Sequence, residues 1–287
     1  MQNTNTPGYT LHNGDPIPKV GLGVWEMSDA EAEHAVLSAL EAGYRLIDTA
    51  SIYGNEKGVG KALKTCGIPR EEIFVTTKLA VPDQGYETTL KAIDTSLKLL
   101  ELDYVDLYLD HWPFSVRPGN IKGIHPPNKR EETWRAMEEI LSAGKARAIG
   151  VSNYAVKHLE QMKSYATVIP VVNQVEFHPF LYQKDLLAYC TENKIRIEAY
   201  CPLVHGKKIQ DPRISEIAKK YGKTNAQIML RWSIQHGLIP LPKSTHEERI
   251  RENIGIFDFE LADLDMQSMD ALHEGYRIAS DPDKIDP

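Results

Sequence analysis

The sequence predicts an α/β chain that closes into a (β/α)8 barrel of the TIM-barrel kind, with an N-terminal β-hairpin as a plug over one mouth. Three observations carry that expectation. Eight short apolar runs alternate with segments of helical periodicity, a pattern that favours a parallel barrel over an open sheet. Three successive runs end in an ionisable residue: Leu46-Ile47-Asp48, Phe74-Val75-Thr76-Thr77-Lys78, and Asp106-Leu107-Tyr108-Leu109-Asp110-His111. Thirty residues separate Asp48 from Lys78 and thirty-three separate Lys78 from His111, close to the ~30 residues of one strand-helix-strand unit. The carboxyl end of a barrel's strands carries the chemistry, whereas the opposite end carries stability.

Tyr9 to Pro18 reads as a hairpin turning at Asn13-Gly14, a dipeptide suited to tight turns between strands. A short strand over 20–24 precedes a helix over 29–42 capped by Ser28 or Asp29. The first half continues with strand 46–50, helix 56–65, strand 74–79, helix 86–100, strand 104–110, helix 130–143, strand 146–151 and helix 155–164. The second half gives strand 171–176, helix 183–192, strand 195–200, helices 212–221 and 225–236, strand 238–241 and a helix from about 246. Gly144, Gly222 and Gly237 fall where helices should stop, because glycine accepts the left-handed conformation there.

The 287 residues, 42% hydrophobic and 25% charged, suit a globular core. No linker or low-complexity run divides them, so one barrel domain over 1–287 is expected. The polar segment Met1 to Thr10 lacks the apolar core of a signal peptide, and no run is long and apolar enough to span a bilayer. A cytoplasmic monomer with no membrane and no nucleic-acid partner is the expectation. The net charge of −7 supports the last point, since nucleic-acid binding calls for a basic face. Cys66, Cys190 and Cys201 are odd in number and far apart, which indicates reduced thiols and no metal site.

Asp48, Tyr53, Lys78 and His111 each have an ordinary explanation as a cap, a turn, a solvent-reaching lysine or a packed histidine. Together they suggest proton transfer by a phenol. A free tyrosine titrates near 10, too high for efficient exchange near neutrality. An ammonium about 4 Å away is worth about 4 kcal/mol at an effective dielectric of about 20. Lys78, kept charged by Asp48, is therefore expected to lower Tyr53 by roughly two to three units, while His111 orients a substrate oxygen.

A second cluster suits an anion. Lys243-Ser244-Thr245 is followed by Arg249 and Asn253, and residues four apart share one helix face. Ser244 or Thr245, with glutamate three positions later, reads as a capping box opening that helix, whose free amides favour phosphate. Gly21-Leu22-Gly23 and Gly58-Val59-Gly60-Lys61-Ala62 match neither a dinucleotide fingerprint nor a P-loop. They read as tight turns.

Leu46-Ile47-Asp48-Thr49-Ala50-Ser51-Ile52-Tyr53-Gly54-Asn55-Glu56, Thr76-Thr77-Lys78, Leu107-Tyr108-Leu109-Asp110-His111-Trp112-Pro113, Ile149-Gly150-Val151-Ser152-Asn153 and Pro242-Lys243-Ser244 together resemble the aldo-keto reductases, of the prostaglandin F synthase-like or bacterial and protozoal type. The resemblance runs from Gly21 to about Phe259. It implies a barrel that reduces aldehyde or ketone carbonyls with NADPH, with NADP+ as the product form, and an Asp48, Tyr53, Lys78, His111 tetrad in which Tyr53 is the general acid. It further implies that Lys243, Ser244 and Arg249 hold the adenosine 2′-phosphate, with Thr245 beside them in the cofactor site, and that Asn253 touches the adenine. Ser152, Asn153 and Gln174 would hold the carboxamide, Tyr200 would stack on the nicotinamide, and Cys201 and Leu203 would border the cofactor. Trp25 and Trp112, with Tyr53 and His111, would line the pocket for a small carbonyl substrate.

Two positions depart from the family pattern. Cys201 stands where serine is usual, placing a thiol near the cofactor. Asp110 stands where an apolar residue is common, and alternation points it out of the barrel toward an expected salt bridge with a basic side chain. The segment between His111 and Lys129, with Phe114, Val116, Arg117, Ile121, Lys122 and His125, reads either as a substrate wall or as an ordinary loop, and the short tail from Tyr276 suggests an open site. A non-catalytic NADPH sensor is countered by the intact tetrad. A hydrolase or isomerase using Asp48 and His111 leaves Lys243, Arg249 and Tyr200 unexplained.

Overall fold

The computed structural model describes residues 7–114 and 129–285. The five residues from Val116 to His125 named above lie outside them. The chain opens with an antiparallel hairpin of β1 (Gly8–Thr10) and β2 (Pro16–Pro18), paired Tyr9 to Ile17. Gly14 takes φ 94° in its turn.

Eight parallel strands follow in chain order: β3 (Leu22–Gly23), β4 (Leu46–Asp48), β5 (Phe74–Leu79), β6 (Val105–Asp110), β7 (Ala146–Ser152), β8 (Val172–Glu176), β9 (Arg196–Tyr200) and β10 (Ile239–Leu241). Each hydrogen-bonds to the next. The first and last strands meet through the Gly21 amide on Pro240 O at 3.1 Å and the Gly23 amide on Pro242 O at 3.1 Å. That seam makes the sheet a barrel.

Helices α1 (Asp29–Glu41), α2 (Glu56–Thr65), α3 (Tyr86–Leu100), α4 (Arg130–Ser142), α5 (Val156–Met162), α6 (Lys184–Glu192), α7 (Pro212–Tyr221), α8 (Asn225–Gln235) and α9 (Glu247–Ile254) connect or follow the strands, and α10 (Asp263–Asp270) and α11 (Pro282–Ile285) come after them. Several start where their caps demand. Ser28 and Glu31 form a reciprocal capping box at α1, Thr224 and Gln227 another at α8, and each satisfies two otherwise orphaned amides. Gly144, Gly222 and Gly237 carry φ of 72°, 62° and 75°, each at or just past a helix end.

The hairpin closes the end of the barrel away from the strand termini that carry the ionisable residues. Leu11 and Ile17 pack with Leu46, Phe74, Leu107, Leu109, Val172 and Ile239 in one buried cluster. The larger core lies between strands and helices and includes Val36, Val75, Ile93, Met137, Ile149, Phe177 and Trp232.

The glycines read as tight turns serve close packing instead. Gly58 and Gly60 are inside α2, where a Cβ would stand 2.0 Å from Asp29 O and 2.4 Å from Leu100 O. A Cβ on Gly21 would meet the Leu46 side chain at 2.5 Å. The helices could not approach this closely with any larger residue.

Candidate active site

Asp48 is the last residue of β4, Lys78 the next-to-last of β5, and His111 directly follows β6. Tyr53 comes from a single 3-10 turn, Ser51–Tyr53, which ends at Gly54 with φ 69°. This turn is tied down from several sides. The Ser51 hydroxyl donates to Lys78 O at 2.9 Å, and buried Asn55 donates to Val24 O at 2.8 Å and Met27 O at 3.0 Å. Its Oδ1 accepts from Thr49 at 2.8 Å, so the Tyr53 loop and the Trp25 loop are one hydrogen-bonded unit.

The Lys78 side chain is fully buried. Its Nζ donates to Asp48 Oδ1 at 2.6 Å, Asp48 Oδ2 at 2.8 Å and Thr49 O at 2.9 Å, and reaches the Tyr53 hydroxyl at 3.5 Å. The Tyr53 and His111 rings meet edge to face, with centroids 5.8 Å apart. Burial pushes His111 well below its ordinary value, and the Lys78 ammonium adds to the effect, so the imidazole is neutral with one N–H to donate.

Tyr53 departs from the sequence expectation. Burial, then the Asp48 carboxylate, holds its phenol well above 10. The lysine that was expected to lower it spends its charge on Asp48 at 2.6 Å. Tyr53 is therefore a phenol that keeps its proton at neutral pH.

Asp110 corrects a second expectation. It is buried and makes no ion pair among the described residues; instead it accepts from Gln84 Nε2 at 2.9 Å and from the Tyr154 hydroxyl at 2.7 Å. Burial outweighs these bonds and the Arg130 charge, and its carboxyl is pushed up to about 6. Gln84 also donates to Trp112 O at 2.7 Å, so this buried group anchors the segment that carries His111.

One cavity of about 1110 Å³ opens at the carboxyl end of the barrel. Asp48, Tyr53, His111, Trp25, Trp112 and Phe114 line it, as do Ser152, Asn153, Gln174, Tyr200, Cys201 and Leu203, and then Lys243, Ser244, Thr245, Arg249 and Asn253. Lys78 stands behind Asp48 and is the one expected site residue absent from its wall.

The match to the aldo/keto reductase family spans residues 19–274. The chain belongs to the aldo-keto reductase family. It is 48% identical over 276 residues to the glyoxal reductase of Bacillus subtilis (strain 168), covering 96% of each chain. With the 9,11-endoperoxide prostaglandin H2 reductase of Trypanosoma cruzi (strain CL Brener) it shares 45% identity over 289 residues, 99% of this chain and 98% of the other. Among solved structures, the aldo-keto reductase of Bombyx mori in complex with NADP superposes with TM-score 0.90 at 36% identity, covering 98% of this chain and 97% of that one. An aldo-keto reductase enzyme from a Medee basin deep-sea metagenome library gives TM-score 0.90 at 45% identity, covering 98% and 100%. Membership makes the chain an oxidoreductase, and the chemistry of its family is NAD(P)H-dependent carbonyl reduction.

The cavity of this aldo-keto reductase fits such a cofactor by the chemistry of its donors. At one end Lys243 and Arg249 are exposed and make no ion pair among the described residues, which leaves two cations for phosphate. At the other, the aromatic ring of Tyr200 stands beside the amide of Asn153, whose Oδ1 accepts from the Tyr200 hydroxyl at 2.7 Å. Asn153 takes φ 64° and donates to His111 O at 2.9 Å and to Ser152 Oγ at 3.1 Å. Ser152 donates to Gln174 O at 2.8 Å, so the expected carboxamide group is assembled as one network.

The start of α9 differs from the expected capping box. Helix α9 begins at Glu247, with His246 as the flanking residue and no side-chain cap. Ser244 Oγ accepts instead from the His246 amide at 3.0 Å, which closes a short turn and delays the helix. Arg249 and buried Asn253 still share its cavity face.

Sequence reasoning missed three contributors. The tail reaches the cavity through Ile278, Ala279 and Ser280, held by the buried Glu176 carboxylate, which accepts from Ile278 N at 2.7 Å and Ala279 N at 2.8 Å; the site is walled there, not open. His205 stacks near Trp25, centroids 5.4 Å apart, with its Nε2 3.1 Å from Cys201 Sγ. Burial keeps that thiol protonated, pushed up to about 12. Glu198 lies beneath Gln174, and an isolated glutamate in an apolar run was its only signal.

Proposed function

We propose that this chain is an NADPH-dependent reductase of aldehyde or ketone carbonyls, of the NADP-dependent alcohol dehydrogenase type, with Tyr53 as the general acid. The observation that carries the reading is the Tyr53 hydroxyl at 3.5 Å from an ammonium that Asp48 fixes through both carboxylate oxygens. When bound, the cofactor supplies hydride to the carbonyl carbon.

Lys243, Ser244, Thr245 and Arg249 hold its phosphate end and Asn253 its adenine. Ser152, Asn153 and Gln174 take the carboxamide, and Tyr200 flanks the ring, bordered by Cys201 and Leu203. The neutral His111 donates its N–H to the carbonyl oxygen and fixes it beside Tyr53. Tyr53 then delivers its proton to that oxygen as negative charge develops there. Lys78 stabilises the phenolate left behind, which offsets the high proton affinity that burial gives the free phenol. Preorganised donors of this kind act at no reorganisation cost during the reaction.

Trp25 and Trp112 supply apolar walls for a small substrate. The same reading takes residues 1–287 as one domain acting as a cytoplasmic monomer, which gel filtration and cell fractionation check.

The test is NADPH consumption with a panel of small aldehydes, ketones and sugars, run in parallel with NADH. Glyoxal belongs in the panel because of the relative named for it. Tyr53→Phe should lower turnover at least about a hundredfold, the usual worth of a general acid, with NADPH fluorescence titration little changed. Turnover retained in Tyr53→Phe would remove Tyr53 from the acid role.

A further inference from the structure

The barrel floor holds one more carboxyl group than the proton transfer requires. Such interiors are normally packed with branched apolar side chains, yet Glu198 on β9 is fully buried there. Its Oε2 accepts from Gln174 Nε2 at 2.8 Å, and the same nitrogen donates to Asp48 Oδ2 at 2.8 Å. An amide nitrogen carries two hydrogens, so both are used and one planar group joins two carboxyls. Among the described residues Glu198 Oε1 has no hydrogen-bond partner.

The charges around this bridge do not balance. Asp48 from β4 and Lys78 from β5 are the charged groups acting on Glu198, while β8 presents the neutral Gln174 and β10 pairs it with apolar Ile239. Tyr53 and His111 are the remaining titratable members of the cluster. One ammonium thus faces two carboxyls, which disfavours ionising both. Burial first, and Asp48 second, push Glu198 up to about 8. Asp48 has both oxygens on Lys78, whereas Glu198 makes no hydrogen bond or ion pair with it.

We propose that Glu198 is a positioning residue for the proton transfer: neutral, it leaves Lys78 answering to Asp48 alone, and ionised, it adds a second negative charge through Gln174 that restrains Tyr53 from releasing its proton. The inference rests on Tyr53 being the acid. Reduction then slows as pH rises through about 8, where Glu198 loses its proton.

The experiment measures single-turnover carbonyl reduction from about pH 6 to about pH 10 for wild type and Glu198→Gln, after Tyr53→Phe has established the acid in the same assay. The rate at high pH relative to that at low pH should be roughly fivefold or more greater in Glu198→Gln than in wild type, about 1 kcal/mol of differential stabilisation. Glu198→Met, neutral and of similar length, should shift the profile the same way if the amide compromises folding. Profiles of both variants that run parallel to wild type overturn the inference while leaving Tyr53 as the acid. Infrared titration of the wild-type protein reads the group without turnover. A protonated-carboxyl band should persist at pH 7, disappear near 8 and be missing in Glu198→Gln, and a wild-type protein without that band at pH 7 also overturns the inference.

Discussion

Replacing Lys78 with methionine removes the ammonium that Asp48 grips with both oxygens, at 2.6 and 2.8 Å. The substitution keeps the length and apolar stem of the side chain, so little cavity results. What it leaves is a buried carboxylate, 4% exposed, whose remaining donor is Gln174 at 2.8 Å, together with a Thr49 carbonyl that has lost a partner at 2.9 Å. Breaking one side of a buried ion pair costs about 3–5 kcal/mol. An unfolding entropy of about 2.1 cal/mol/K per residue gives roughly 0.6 kcal/mol/K for the 287 residues, and hence a fall in Tm of about 5–8 °C. Urea unfolding of wild type, Lys78→Met, Asp48→Asn and the double variant measures the pair as a cycle. The double variant buries no unpaired charge and should be more stable than Lys78→Met by about 2 kcal/mol. A loss below about 1 kcal/mol in Lys78→Met, or a double variant no more stable than it, would refute the idea that a charged Asp48 depends on Lys78.

Three further outcomes follow from other parts of the molecule. Arg249→Ala removes one of two exposed cations at the phosphate end of the cavity, so the NADPH to NADH ratio of kcat/KM should fall about tenfold or more, in line with a charge-assisted bond of about 1.5–3 kcal/mol; an unchanged ratio counts against the assignment. Asp110, with its carboxyl raised to about 6, binds its proton more tightly folded than unfolded. Its contribution is fully present below about pH 4 and is lost as pH rises to about 6, by on the order of 3 kcal/mol, so Asp110→Asn should flatten the stability profile across that window; profiles of the same slope would dismiss the effect. Gly58→Ala gains up to about 1 kcal/mol of helix propensity but sets a Cβ 2.0 Å from Asp29 O, an overlap costing about 1–3 kcal/mol or more. Calorimetry should show net destabilisation, and a rise in Tm would mean that α1 and α2 separate easily.

Elements with local punctuation were legible from the sequence. Helices 56–65, 86–100 and 212–221 fall on the observed bounds, and strand 74–79 does as well. The Asp48, Lys78 and His111 positions followed from strand spacing alone, because the parallel barrel repeats its unit. Features decided by tertiary burial were not legible. The acidity of Tyr53 is set first by its burial and then by the Asp48 carboxylate, and strand spacing shows neither. Asp110 was expected to find a cation, yet its partners Gln84 and Tyr154 lie 26 and 44 residues away, and no pattern marks either. The start of α9 lies past Ser244 because its Oγ accepts from the His246 amide at 3.0 Å, a local turn that the Ser/Thr-to-Glu spacing does not distinguish from a capping box.

The barrel seam ties the order of assembly to competence. Strands β4 to β6, early in the chain, supply Asp48, Lys78 and His111, but β3 finds its second neighbour only when the Gly21 and Gly23 amides reach the carbonyls of Pro240 and Pro242. Proline has no amide to give back, so at those two positions this joint is made in one direction. Lys243, the first residue past it, lines the end of the cavity proposed for phosphate. A chain still being synthesised could thus bring Tyr53 and its ammonium together while lacking the phosphate grip proposed for Lys243 and Arg249. Under the proposed assignment, reducing power is admitted only after the last strand has docked against the first.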